Sequence, residues 1–178
     1  MTFYTADLHF GHKNIIGFDS RPFDSVEQMD RLLIEWWNQK VTDADTVYII
    51  GDLCYRSVHD PSWYLTRLRG KKYLIIGNHD GPLLEDEKAL SLLSGLDKMM
   101  TVTDGGREIC LCHFPLAEWD GFFGGAWHVY GHIHNKKEET YQIMKTRDRA
   151  LNAGCMLNGF VPVTFDELIR NNAAFKSL

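Results

Sequence analysis

Six of the eight histidines, His9, His12, His79, His113, His132 and His134, sit just beyond short apolar runs, with carboxylates and an amide beside them. Phe3-Tyr4-Thr5-Ala6 leads to Asp7 and, two residues on, to His9. Val47-Tyr48-Ile49-Ile50 leads through Gly51 to Asp52, and Tyr73-Leu74-Ile75-Ile76 leads through Gly77 to Asn78, His79 and Asp80. Ile109-Cys110-Leu111-Cys112 leads to His113, and Trp127-His128-Val129-Tyr130 leads through Gly131 to His132 and His134. Turns draw on Gly, Pro, Asn, Asp and Ser for definite physical reasons, and imidazole shares none of them. Five such exits therefore point to a ligand set. Imidazole with carboxylate suits Zn, Mn, Fe or Ni, whereas a site for Ca or Mg alone would be mostly oxygen. Asp7, His9, Asp52, Asn78, His113, His132 and His134 are too many donors for one ion that keeps an open position. Two ions fit better, because a carboxylate can bridge a pair about 3.5–4 Å apart.

Strands must deliver these donors. Apolar and β-branched runs predict strands over 2–6, 46–50, 72–76, 107–112, 127–130 and 150–153, the last continuing toward 157. Ligands in open α/β sheets gather beyond the carboxyl ends of strands, where the donors lie. Between the runs, residues 25–41 place Val26, Met29, Leu32, Leu33, Trp36 and Trp37 on one helical face behind a Ser25/Gln28 capping box. Shorter helices are expected over 61–69 and 83–93, and Thr164 with Glu167 opens a last one. Residues 99–113 read as an antiparallel hairpin turning at Asp104-Gly105-Gly106. The pattern implies an α/β chain with a mixed sheet or two sheets and helices outside, in one domain over 1–178.

The chain has 178 residues, 44% apolar and 24% charged, with a net charge of −5. That balance argues against a broad nucleic-acid face, so polymeric nucleic acid is not the favoured partner. No apolar stretch reaches membrane-spanning length and no basic leader opens the sequence, so a cytoplasmic protein is expected, with no membrane partner. Cys54, Cys110, Cys112 and Cys155 lack CxxC spacing and read as small buried hydrophobes in a reducing compartment. Oligomeric state is not legible.

In this order Asp7-Leu8-His9, Gly51-Asp52, Gly77-Asn78-His79-Asp80, His113 and Gly131-His132-Ile133-His134 resemble the calcineurin-like metallophosphoesterases. The tail from Leu151 to Ile169 is similar to the closing part of small bacterial and phage members. The resemblance implies a four-layer sandwich, two mixed β-sheets flanked by helices. It implies two divalent transition-metal ions, manganese first, with iron, zinc or nickel as alternatives. By position, Asp7, His9 and His134 would hold the first ion, Asn78, His113 and His132 the second, and Asp52 would bridge. His79 would meet the substrate phosphate or leaving group, and Asp80 would orient His79. The implied activity is hydrolysis of a small, nucleotide-like phosphomonoester or phosphodiester. The alternatives are a non-catalytic scaffold of the same fold and a nuclease acting on a polymer.

Four further residues are weighed as substrate contacts. His12 either donates to a substrate oxygen, supports a ligand or lies on the surface. Arg56 and His59 follow Asp52 in a loop where positive charge could meet a phosphate. Trp119, with Phe122, Phe123 and Trp127, could form an aromatic wall over the metals, although core packing explains Trp127 equally well. His128 reads as a satisfied core group, and Lys136-Lys137 as a solvated pair.

Overall fold

The computed structural model describes residues 1–177. Two four-stranded sheets face each other, with helices outside. The first joins β1 (Thr2–Thr5), β2 (Thr46–Ile49), β3 (Lys71–Ile75) and β4 (Gly95–Asp97) in that order, every pair parallel. The second joins β5 (Met99–Asp104), β6 (Arg107–Cys112), β7 (Trp127–Tyr130) and β8 (Ala150–Asn152). There β5 and β6 form the expected antiparallel hairpin and the remaining pairs are parallel. Only the second sheet is mixed, so the expectation of two mixed sheets is corrected for the first.

Strands buried on both faces read as unbroken apolar runs, and that is why the sequence signals them by composition. Alternate residues of each strand serve different layers. Phe3, Val47, Ile49 and Leu74 face α2 (Val26–Lys40), which buries Met29, Leu33 and Trp37 against them. Met29 and Leu33 each contribute about 1.5–3 kcal/mol by leaving water. Tyr4, Ala6, Ile50 and Ile75 face the other way and meet Ile109, Leu111, Val129 and Leu151 of the second sheet. Cys110, Tyr130 and Ala150 form the outermost layer with Trp119 and Met144.

Helix starts follow their caps. Ser25 Oγ accepts from Gln28 N–H at 3.2 Å at the head of α2. The side chains of Thr164 and Glu167 each accept from the other's backbone N–H before α7 (Phe165–Ser177), which lies against β1 and β8. The helix expected over 83–93 is two, α4 (Gly81–Leu84) and α5 (Glu87–Ser91), because Asp86 breaks the run and caps the second through Ala89 N–H. The helix expected over 61–69 stops as α3 (Pro61–Leu65), where the Thr66 hydroxyl takes the carbonyls of Ser62 and Trp63. Two helices, α1 (Ile15–Phe18) and α6 (Glu139–Lys145), and strand β4 carried no sequence signal of their own.

The expected continuation of β8 toward 157 is also corrected. Asn152 Oδ1 accepts from Gly154 N–H at 2.8 Å, and the chain winds into a 3-10 turn, Cys155–Asn158. All four cysteines are buried and unpaired. No described helix is long and apolar enough to cross a membrane.

Candidate metal centre

The carboxyl ends of β1, β2 and β3 in one sheet and of β6 and β7 in the other open onto one region, and the expected donors meet there. Five of those seven, Asp7, His9, Asp52, His132 and His134, have positive φ, at 56°, 53°, 57°, 71° and 52°. For a residue with a Cβ this conformation costs on the order of 1–3 kcal/mol, and it persists only where surroundings impose it. The strain concentrates where each strand stops and a donor must turn sideways.

Asp7, His9 and His134 offer donor atoms within 4.8 Å of one another, and so do Asp7, Asp52 and His113. Asp52 Oδ2 stands 3.5 Å from His9 Nε2 and 3.6 Å from His113 Nε2, so one carboxylate faces both halves. His134 Nε2 lies 3.7 Å from Asp7 Oδ1 and 3.2 Å from His9 Nε2. Asn78 Oδ1 is 3.0 Å from His113 Nε2 and 2.9 Å from His132 Nδ1. Donors bound at about 2.1 Å to one cation stand about 3.0–3.4 Å apart.

The tautomers explain why these groups suit cations. His113 Nδ1 lies 2.9 Å from the Ile50 carbonyl, which only accepts, so Nδ1 carries the proton and the Nε2 lone pair faces Asn78 Oδ1. His134 Nδ1 likewise donates to Asp19 at 2.8 Å, which aims its Nε2 lone pair at Asp7 and His9. Lone pairs that face carboxylate and amide oxygens repel unless positive charge lies between them. The donor set therefore fits divalent cations.

Glycines before the donors leave the room these side chains occupy. A Cβ at Gly51, where φ is +81°, would lie 2.2 Å from His113 Nδ1. One at Gly77 would lie 2.3 Å from Asp52 Oδ1. Either position is confined to glycine by the ligand beside it.

A family model described as calcineurin-like phosphoesterase matches residues 3–153. The chain belongs to that family. Among its relatives, an uncharacterized protein of Methanocaldococcus jannaschii is 29% identical over 167 residues, covering 93% of this chain and 87% of its own. The gene 66 protein of Mycobacterium phage L5 is 30% identical over 162 residues, covering 75% of this chain and 77% of its own. A crystal structure of the protein of unknown function AQ665 from Aquifex aeolicus shares the fold, with a TM-score of 0.73 at 22% identity. That match covers 96% of this chain and 98% of the other.

In this member of the family several residues without a signal of their own hold the donors in place. Asp19 is buried and bound to His134 Nδ1, and the Arg21 guanidinium pairs with it at 3.2 Å. Arg21 also donates to the carbonyls of Asp7 and Leu8, each at 2.8 Å, and so ties the first donor loop to the last. Burial opposes the charge on Asp19, but the hydrogen bond and charge of His134 and then Arg21 outweigh it and lower its pKa. Asn152 donates to the His134 carbonyl at 2.9 Å. A short Asp19-x-Arg21 pair far from every strand exit was the one trace of this in the sequence.

Asp80 corrects an expectation. Its carboxylate accepts from the backbone N–H groups of Gly77, Asp52 and Leu53 at 2.7, 3.0 and 3.0 Å, and no hydrogen bond joins it to the His79 ring. The loop turns its side chain back beneath the β2 and β3 exits, where it is 1% exposed. Asp80 therefore fixes the backbone of two donor loops. His79 is held instead by its own N–H, which donates to Asp52 Oδ1 at 2.9 Å, and by Tyr55, whose ring centroid is 4.2 Å away.

Burial shifts the charges at the centre. Desolvation raises the Asp7 carboxyl to about 6, against the pull of His134 and His113. Desolvation lowers His9 and His132, with neighbouring imidazoles adding to the effect. His134 moves up, because Asp19 and Asp7 outweigh the desolvation that pulls it down.

Beside the first half of the centre a cleft of about 340 Å³ is lined by His12, Phe18, Tyr55, Arg56, His79 and Lys136, together with His9, Asp19 and His134. His12 and Arg56 thus lie where a substrate contact was expected, and Lys136, read as part of a solvated pair, joins them. His59 does not: it stacks on Trp63 with centroids 4.0 Å apart, because the loop turns away after Arg56, itself at φ +49°. Trp119 is corrected as well. Its indole packs on Phe122 and His128 on the outer face of the second sheet, and its N–H donates to the Ala126 carbonyl. The aromatic rings beside the donors are Tyr55 and Phe114, the latter 4.7 Å from the His132 ring and 45% exposed.

Proposed function

We propose that this protein hydrolyses a small phosphate ester, a monoester or a diester, with two divalent cations. Asp7, His9 and His134 would hold one, Asn78, His113 and His132 the other, and Asp52 would face both. The observation that carries this reading is the position of Asp52 Oδ2, 3.5 Å from His9 and 3.6 Å from His113. Bound there, divalent cations, with manganese the first to try, would make water nucleophilic near neutral pH and would offset charge on the phosphoryl oxygens.

The chain's own residues do the rest. His79 faces the cleft with its backbone anchored to Asp52, and an imidazole so placed delivers a proton to the departing oxygen. Arg56 and Lys136 in the same cleft supply positive charge to the ester's remaining oxygens. Tyr55 and Phe18 give the departing group an apolar wall, which favours a flat leaving group such as a nucleoside. A cleft of about 340 Å³ admits a small ester more readily than a polymer.

Manganese-loaded protein should cleave a chromogenic phosphomonoester or phosphodiester, and His79→Ala should reduce turnover about 10²–10⁴-fold with metal content unchanged. If mono- and diesters, nucleotides and oligonucleotides all survive intact with both cations bound, the reading is wrong.

A further inference from the structure

The second sheet has a pocket at its other end. Metal donors follow Tyr130 at the carboxyl end of β7, whereas the amino ends of β7 and β8 border a pocket of about 370 Å³. It is lined by Trp119, Phe122, Phe123, Arg147, Asp148 and Arg149, with Thr146. The four residues of β7 put roughly 13 Å between the two places.

Both walls are fixed by bonds that leave their ligand-facing groups free. On one side a 3-10 turn, Phe122–Gly124, lies between Gly121 and Gly125, both left-handed at φ 75° and 92°. Trp119 closes that turn through the Ala126 carbonyl at 2.9 Å. The turn presents Phe123 with 89% of its surface exposed. On the other side Lys176 Nζ, at the end of α7, donates to the carbonyls of Arg147 and Ala150 at 2.7 and 2.8 Å and pins the arginine-bearing turn.

Among the described residues the guanidinium groups have no such partners. Among the described residues neither Arg147 nor Arg149 forms an ion pair, although Arg21, Arg31 and Arg107 do. Arg147 Nε is buried without a hydrogen-bond partner among the described residues, and its guanidinium lies 5.8 Å from the Phe122 ring. A buried donor left unmet is a standing cost unless a ligand meets it. Arginine is the side chain whose planar fork matches phosphate, and an open phenyl face accepts any flat ring.

We propose that this pocket binds a nucleotide, with Arg147 and Arg149 on its phosphate and Phe123 against its base, independently of the metal centre. Asp148 between the arginines leaves a net single positive charge, which suits one phosphate rather than a chain of them.

Isothermal titration of the metal-loaded protein tests this with the methylenephosphonate analogue of adenosine 5′-monophosphate, whose P–C bond no hydrolysis of an ester can cut. Two binding events are expected. Arg147→Ala combined with Arg149→Ala should remove one event and leave the other, with hydrolysis of a small chromogenic ester unchanged. Phe123→Ala should weaken the same event about tenfold. Because that ring is exposed, the variant tests the site even if the double arginine change fails to fold. Adenosine alone and inorganic phosphate alone should each bind this pocket at least tenfold more weakly. Binding in which no event is lost from the double arginine variant and none is weakened by Phe123→Ala overturns the proposal. A single event that responds to both upholds it and counts only against the metal centre as a second site for the analogue. Phosphate alone binding as tightly as the analogue overturns the assignment to a nucleotide.

Discussion

His113, one residue beyond the end of β6, and His128, on the neighbouring β7, are both fully buried, and both have Nδ1 against a backbone carbonyl. They differ at the other nitrogen. His128 Nε2 accepts from Leu116 N–H at 3.1 Å, so its hydrogen bonding is complete within the fold. His113 Nε2 meets an amide oxygen and a carboxylate oxygen, neither of which can donate to it. Residue type, burial and tautomer are shared, so none of them marks function. What marks it is the lone pair left facing other lone pairs at the end of a strand, beside residues whose φ has been forced positive.

The contrast breaks most sharply at the shared carboxylate. Asp52→Ala removes the one group that faces both halves, and turnover on a chromogenic ester should fall by 10³-fold or more, with metal content by elemental analysis reduced. A variant that keeps two cations and full turnover would place the bridging role elsewhere. One step outward, Asp19→Ala should leave the donors present but release His134 from its partner, costing about 10–100-fold in metal affinity by competition with a chelator. Unchanged affinity would show that Arg21 and Asn152 suffice to aim that ring.

His128 tests the opposite side. Burial lowers its pKa from 6.5 to about 4, so on acidification the unfolded chain takes the proton first. The stability this group contributes is fully present above about pH 6.5 and is lost as pH falls toward 4, a change of about 3 kcal/mol. Denaturant titrations of wild type and His128→Phe should therefore diverge by about that much more at pH 7 than at pH 4, with metal content identical. Should His128→Phe lose metal, the two histidines are not the separate classes described here.

Much of this was legible because strands buried on both faces announce themselves by composition, and the residue just past each run is the donor itself. Asp7, Asp52, Asn78, His113 and His132 needed no more than that. Asp80 departs from the role that the resemblance implies for it, because the loop reverses and sends the carboxylate beneath its own backbone. His59 and Trp119 lie in loops close in sequence to donors, but a loop's course leaves no periodicity, and the turns at Arg56 and Gly121 point them elsewhere. Asp19, Arg21 and Asn152 act through contacts spanning more than a hundred residues or through backbone carbonyls, and neither leaves a periodicity to read. Strand β4 is three residues with a glycine and an aspartate, and its pairing with β3 comes from the sheet.

The layer between the sheets works as a gauge. Four of the seven donors, Asp7, His9, Asp52 and Asn78, follow strands of the first sheet and three, His113, His132 and His134, follow strands of the second, so the thickness of Ile50, Ile75, Leu111 and Val129 sets the gap across which Asp52 and His113 look at each other. Side chains that never approach a phosphate thereby calibrate the spacing of the charges that would attack one.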